Sequence, residues 1–177
     1  FIPNNLLYFD TRVHASQIVT DQVLQKRLHH LSDNQPLRLA FSGRLIRIKG
    51  ADHLVGLARK LKQAGTPFRL TIYGSGELDQ QMRDDIIINQ LENEVFMPGT
   101  LSFYEELLPE LKENVDVFVC LHRQGDPSCT YLETLSCGIP IVGYDNLAFT
   151  GLMALADIGW LIKMDDLDGM VETITFL

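Results

Sequence analysis

The chain has 177 residues, 46% of them hydrophobic and 21% charged, enough for one domain with a well-filled core. Its net charge is −8, from 15 basic and 23 acidic residues, and no basic run stands out, which argues against a nucleic-acid partner. No signal peptide and no apolar run near the ~20 residues of a membrane span is visible.

The sequence opens Phe1-Ile2-Pro3-Asn4-Asn5 without an initiating Met and reads as a piece of a longer protein. Residues 1–35 are expected to form a leading segment and a helix, the helix over Ala15 to Leu31 with apolar positions at Ile18, Val23, Leu24, Leu28 and Leu31. Ser32-Asp33-Asn34-Gln35-Pro36 marks a loop. Residues 36–177 then alternate short apolar runs with helical patterns. The expected strands are Leu37 to Gly43, Phe68 to Tyr73, Glu94 to Met97, Val115 to Leu121, Ile139 to Gly143 and Gly159 to Lys163. The expected helices are Gly50 to Ala64, Glu77 to Leu91, Ser102 to Asn114, Thr130 to Cys137, Leu147 to Ala156 and Asp166 to Leu177. In the first of these Leu54, Leu57, Ala58 and Leu61 share a face, with Arg59, Lys60 and Lys62 opposite. Ser102 and Glu105 have capping-box spacing, and Pro109 is placed to break or kink the helix they open.

Six strands with little internal alternation, separated by helices, predict a doubly wound α/β domain with a parallel, Rossmann-like sheet covered on both faces. Such sheets bind ligands at the carboxyl ends of their strands, near the point where strand order reverses. The loops following Phe41, Tyr73, Met97, Leu121 and Val142 are therefore the ones to read.

The first loop carries two cations, Arg44 and Lys49, beside Gly43 and Gly50. Arginine can grip a diphosphate with two donors and lysine adds a point charge; the alternative is a pair of solvated loop cations. The second loop, Gly74-Ser75-Gly76, would let backbone approach a ligand closely. It is neither a full dinucleotide fingerprint, since Asp79 stands where a third glycine belongs, nor a P-loop. The fourth loop runs from His122 through Gly125-Asp126-Pro127-Ser128 into a short helix beginning Cys129-Thr130-Tyr131. Ser128, Cys129 and Thr130 offer spare backbone N–H groups at the positive end of that helix, which suits a phosphate. Glu133, one turn in, can accept two ribose hydroxyls or can simply complement the helix dipole. The helix N-terminus would lower the pKa of Cys129, but no general base is placed to use it, and a spectator role is expected. The three cysteines, Cys120, Cys129 and Cys137, have no metal-ligand spacing and are read as reduced thiols of a cytosolic protein. No metal and no cofactor is expected.

Taken in order, Gly43-Arg44-Leu45 with Lys49-Gly50, Ile72-Tyr73-Gly74-Ser75-Gly76, Val95-Phe96-Met97-Pro98-Gly99 and Leu132-Glu133-Thr134-Leu135-Ser136-Cys137-Gly138-Ile139-Pro140 resemble the C-terminal, donor-binding domain of group 1 (GT4-type) glycosyltransferases of the GT-B fold. The resemblance spans roughly residues 36–177. It implies that Arg44 and Lys49 neutralise the donor diphosphate as it leaves. It places Gly74 and Gly76 on the nucleotide side, and implies that backbone at Phe96 and Met97 contacts the base. Thr130 and Tyr131 would offer phosphate-binding amides, and Glu133 would bind the ribose as the second Glu of a Glu-x7-Glu motif.

The implied reaction is transfer of a hexose from a UDP- or GDP-sugar to a glycan or lipid-linked acceptor, retaining and metal-independent, in cell-surface polysaccharide synthesis. Location is then cytoplasmic, with peripheral membrane contact of the full-length enzyme, and the isolated piece is expected to turn over little because the acceptor domain is elsewhere. The other readings are a GT-B epimerase and a non-catalytic nucleotide-binding domain. Two departures stand out. The first Glu of the motif falls on Gly125, with Asp126 as a substitute contact to the hexose, and Tyr144-Asp145-Asn146-Leu147 replaces a Gly-Gly loop.

Overall fold

A computed structural model describes residues 12–32, 35–125 and 128–177. Six parallel strands, β1 (Leu37–Ser42), β2 (Phe68–Tyr73), β3 (Val95–Gly99), β4 (Val117–Cys120), β5 (Ile141–Tyr144) and β6 (Gly159–Ile162), form one sheet in the order β3-β2-β1-β4-β5-β6. This is the doubly wound Rossmann-like arrangement expected from the alternation of elements.

Side chains of successive strand residues enter two different cores, which is why the strands read as continuous apolar runs. Leu39, Phe41, Val117 and Val119 point to the face covered by α2 (Ala51–Gln63), α3 (Asp79–Ile88) and α7 (Leu167–Phe176). Ala40, Phe118, Cys120 and Ile141 point to the face covered by α4 (Leu108–Asn114), α5 (Cys129–Ser136) and α6 (Leu147–Met153). The apolar stripe of α2 is fully used: Leu54, Leu57, Ala58 and Leu61 are all at 0% exposure, and each such leucine contributes about 1.5–3 kcal/mol by burial.

Three expectations are revised. The leading helix is α1 (Asp21–Ser32), preceded by a 3-10 turn at Ala15–Gln17, rather than one run from Ala15. Val19 donates its amide to the Ser136 carbonyl at 2.8 Å, and the extended chain this requires separates the two. The α3 helix stops at Ile88 because Gln90 adopts a left-handed φ of 54°. Its amide closes on Ile87 and that of Leu91 on Ile86, a Schellman ending built without glycine. Ahead of α4, Phe103–Leu107 is a π turn, with the Leu107 amide reaching back to Ser102 O at 2.9 Å. The wider turn moves the carboxylate that caps the Ser102 amide from Glu105 to Glu106, at 2.8 Å, and Pro109 sits harmlessly in the first turn of α4.

Two buried charges tie the frame. Asp116 accepts from Arg38 N, Nε and Nη2 at 2.9, 3.1 and 2.7 Å. Arg27 of α1 donates to Gly138 O at 2.6 Å, Lys112 O at 2.9 Å and Cys137 O at 3.1 Å, so one guanidinium closes the negative ends of α4 and α5. Among the described residues no helix is long and apolar enough to cross a membrane.

Candidate functional site

Strand order reverses between β1 and β4, so the loops after these two strands flank a crevice at the carboxyl edge. The loops after β1, β2 and β3 are zipped by backbone bonds: Gly43 N to Tyr73 O at 3.0 Å, Leu45 N to Ser75 O at 2.9 Å, and Gly74 N to Gly99 O at 2.8 Å. Leu45 is buried at 0% exposure and anchors the first loop, while its neighbour Arg44 is exposed. A 3-10 turn at Arg47–Lys49 leads into α2, and the Arg123 amide, from the loop after β4, bonds to Ile48 O at 3.0 Å. Lys49 in that turn is half-buried. Among the described residues neither Arg44 nor Lys49 has an ion-pair partner.

The two glycines after β2 let a neighbouring backbone come close. A Cβ on Gly74, which has φ of 130°, would lie 2.0 Å from Gly43 O, and one on Gly76 would lie 2.5 Å from Leu45 O. The backbone that comes close is that of the neighbouring loop, and the glycines let it lie flat against theirs.

A cavity of about 360 Å³ opens at this edge, lined in part by Gly43, Arg44, Gly74, Ser75, Phe103 and Arg12. Sequence reading missed Arg12 and Phe103, since nothing local marks either. The Arg12 guanidinium lies 3.9 Å over the Phe103 ring, and its Nε donates to Glu133 Oε1 at 2.7 Å. Glu133 is 6% exposed. It is the fifth residue of α5, past the first turn where a carboxylate complements the dipole, so that alternative loses its basis.

The α5 helix begins directly after the loop from β4, which puts its N-terminus on the same edge. Ser128 is its N-cap residue, with Oγ 3.1 Å from Thr130 Oγ1. Cys129 and Thr130 are half-exposed. Tyr131 departs from expectation: its amide already donates to Ser128 O at 3.2 Å, and its side chain is buried, stacked on Phe149 at 5.5 Å. Its hydroxyl accepts from Asn146 Nδ2 at 3.0 Å, and the same amide nitrogen bonds to His122 O at 2.8 Å. Tyr131 and the buried His122 thus shape the loop from beneath. Phe96 and Met97 are not brought to the Arg44 cavity. Both border a neighbouring hollow of about 650 Å³ on the α4 face, with Arg69 stacked 3.9 Å over Phe96, while the Met97 side chain packs into the core on the opposite face; Tyr73 and Leu101 border both spaces.

Asp126 lies outside the described residues. At Gly125 a Cβ would meet Leu147 Cβ at 3.0 Å. The two sequence departures are therefore one spatial feature: the segment that replaces the glycine-rich loop crowds the position where the motif's first carboxylate would stand.

Behind the crevice Arg123 rivets the loops together. Its Nε donates to Asp165 Oδ1 at 2.7 Å, Nη1 to Asp52 Oδ1 at 2.8 Å and to the Arg47 carbonyl, and Nη2 to His53 Nε2 at 2.8 Å. A guanidinium can only donate, so His53 Nε2 accepts and Nδ1 carries the proton toward Tyr144 Oη, 2.7 Å away. Burial first, and then the Arg123 charge, lowers the His53 pKa from 6.5. A histidine held neutral in the fold binds its proton more readily when unfolded. Its contribution is complete above about pH 6.5 and is lost as pH falls toward the lowered folded value. The melting temperature is expected to drop between pH 7 and 5 more steeply for the native chain than for His53→Gln; parallel profiles would remove His53 as the cause. The cysteines are in the thiol form, and burial pushes the pKa of Cys120 up to about 11.

The sequence profile of the family described as Glycosyl transferases group 1 matches residues 24–177. The chain belongs to this family. A curated relative, the putative colanic acid biosynthesis glycosyltransferase WcaL of Escherichia coli K12, is 28% identical over 145 residues, covering 78% of this chain. The chain spans about a third of that relative, 35% of its length. Among solved structures, the C-terminal domain of the group 1 glycosyl transferase LpcC from Francisella tularensis superposes with a TM-score of 0.68 at 14% identity, over 90% of this chain and 84% of that one. A variant of S. aureus TarM in a complex containing UDP superposes at 0.69 and 18% identity, over 90% of this chain and 36% of that one. At such identities the structures establish the fold, which is that of a GT-B half-domain.

Proposed function

We propose that this domain binds the nucleotide-diphosphate-sugar donor of a glycosyltransferase that passes a hexose, with retention, to a glycan or lipid-linked acceptor during cell-surface polysaccharide assembly. The observation that supports this best is the cavity at the carboxyl edge. An arginine with no ion-pair partner among the described residues, Arg44, lines it, and Glu133 reaches its wall through Arg12. A diphosphate needs the first and a ribose the second.

In this reading Arg44 and Lys49 take the negative charge that grows on the diphosphate as the glycosidic bond to it breaks, a stabilisation that cations held in place deliver without reorganisation. Amides at Ser128, Cys129 and Thr130, at the positive end of α5, share that charge. Glu133 accepts the ribose hydroxyls, and the backbone at Phe96 and Met97 borders the base. Asp126 is assigned to the hexose. The UDP in the TarM complex makes UDP the first ligand to try. Acceptor binding falls to the other half of the GT-B fold, which these residues do not contain, so the isolated domain should bind nucleotide and transfer little sugar. In this reading the full-length enzyme works in the cytoplasm, at the inner face of a membrane that carries a lipid-linked acceptor.

Calorimetry with UDP, GDP and uridine tests the assignment. Arg44→Ala and Lys49→Ala should each weaken UDP or GDP binding about 10- to 100-fold, the worth of a charge-assisted contact of about 1.5–3 kcal/mol. Uridine binding should change little. Equal losses for nucleoside and diphosphate would reject the phosphate role.

A further inference from the structure

Arg12 is far from every motif in the sequence, 121 positions from Glu133, yet three contacts fix it at the cavity. Its guanidinium is flat over Phe103 at 3.9 Å, its carbonyl accepts from Tyr104 Oη at 2.9 Å, and its Nε holds Glu133 Oε1 at 2.7 Å. Two of these partners come from the π turn, a backbone irregularity that is common at functional sites. We propose that Arg12 is a positioning residue of the donor site, which aims the Glu133 carboxylate at the ribose and forms the nucleoside-side wall of the cavity.

The form of the contact favours aiming over sealing. An arginine that shuts off a carboxylate does so fork to fork, through two parallel bonds to both oxygens. Here, among the described residues, a single hydrogen bond from Nε engages one oxygen, which leaves the second carboxylate oxygen for a ligand hydroxyl and the terminal guanidinium nitrogens for a nucleotide. The Arg12 side chain is 54% exposed and lines the cavity, whereas that of Glu133 is 9% exposed. A buried carboxylate with one donor among the described residues is directed by that donor, and the stacking of Arg12 on Phe103 fixes the direction from which the donor comes.

The inference rests on the donor-site reading above, and the test separates the two. UDP and 2′-deoxy-UDP are titrated into the native protein, Arg12→Ala, Arg12→Lys, Glu133→Ala and the double variant Arg12→Ala/Glu133→Ala, with thermal melting as a check on folding. The native protein should prefer UDP to its deoxy analogue. Arg12→Ala should weaken UDP about tenfold and abolish that preference. Arg12→Lys should retain part of both, and the double variant should bind no worse than Glu133→Ala. If the native protein binds UDP and Arg12→Ala binds it as well or more tightly, or loses both ligands equally, Arg12 is a plug or a structural contact and the inference fails alone. If the native protein binds no nucleoside diphosphate, the donor-site reading fails and takes this with it.

Discussion

Gly74→Ala should lower stability by about 3 kcal/mol, which for a domain of this size is a fall of about 6–12 °C in melting temperature. Two costs combine. The backbone φ of 130° is open to glycine and strained for alanine, and the added Cβ would sit 2.0 Å from a backbone oxygen, Gly43 O. That oxygen cannot swing aside as a side chain would, because Gly43 N is itself bonded to Tyr73 O at 3.0 Å. Relief requires the loops after β1 and β2 to part, which moves Arg44 as well. Thermal melting and UDP titration should therefore both respond. A variant as stable as the native chain would mean that the two loops are not in contact as described. Gly76→Ala, with its Cβ 2.5 Å from Leu45 O but no left-handed φ, should be affected in the same direction and less.

Glu133→Ala should reduce UDP affinity about 10- to 100-fold, since it removes the carboxylate that the proposed donor site assigns to the ribose hydroxyls. Stability should change much less. Among the described residues the carboxylate has a single partner, Arg12, whose side chain is 54% exposed and returns to water. The test is the contrast between the two measurements. A large loss of melting temperature with UDP affinity unaltered would show that Glu133 holds the leading segment rather than the nucleotide. Glu133→Gln keeps shape and one acceptor and should fall between.

Much of this was legible in advance for identifiable reasons. The parallel sheet could be read because strands buried on both faces cannot alternate, and β1 and β4 do not: Leu39, Ala40 and Phe41 are all at or below 1% exposure. The α2 face was readable because a helix with one buried stripe must repeat at 3.6 residues. Element ends were less so. The stop of α3 at Gln90 carries no glycine signal, and the break ahead of α1 depends on a bond from Val19 to Ser136, on another element. The motif order pointed to Arg44, Lys49 and Glu133, of which Arg44 lines the cavity at the carboxyl edge. It gave no hint that Tyr131 would turn inward against Phe149, nor that Phe96 and Met97 would line a separate hollow.

The amino-acid sequence by itself determined the strand and helix alternation, the loops at the carboxyl edge and the residue types those loops carry, because each follows from periodicity or from chain neighbours. Only the tertiary structure decided who meets whom. It brought Arg12 across 121 positions to Glu133, since Arg12 and Val19 both meet α5 and Arg12 also meets the π turn. It gave the glycines after β2 a backbone to pack on, since parallel strands set their loops side by side. It also joined Gly125 to Leu147, making two separate departures in the chain a single crowded corner. Contacts of this kind depend on loop closure over long stretches of chain, and no local rule of sequence encodes them.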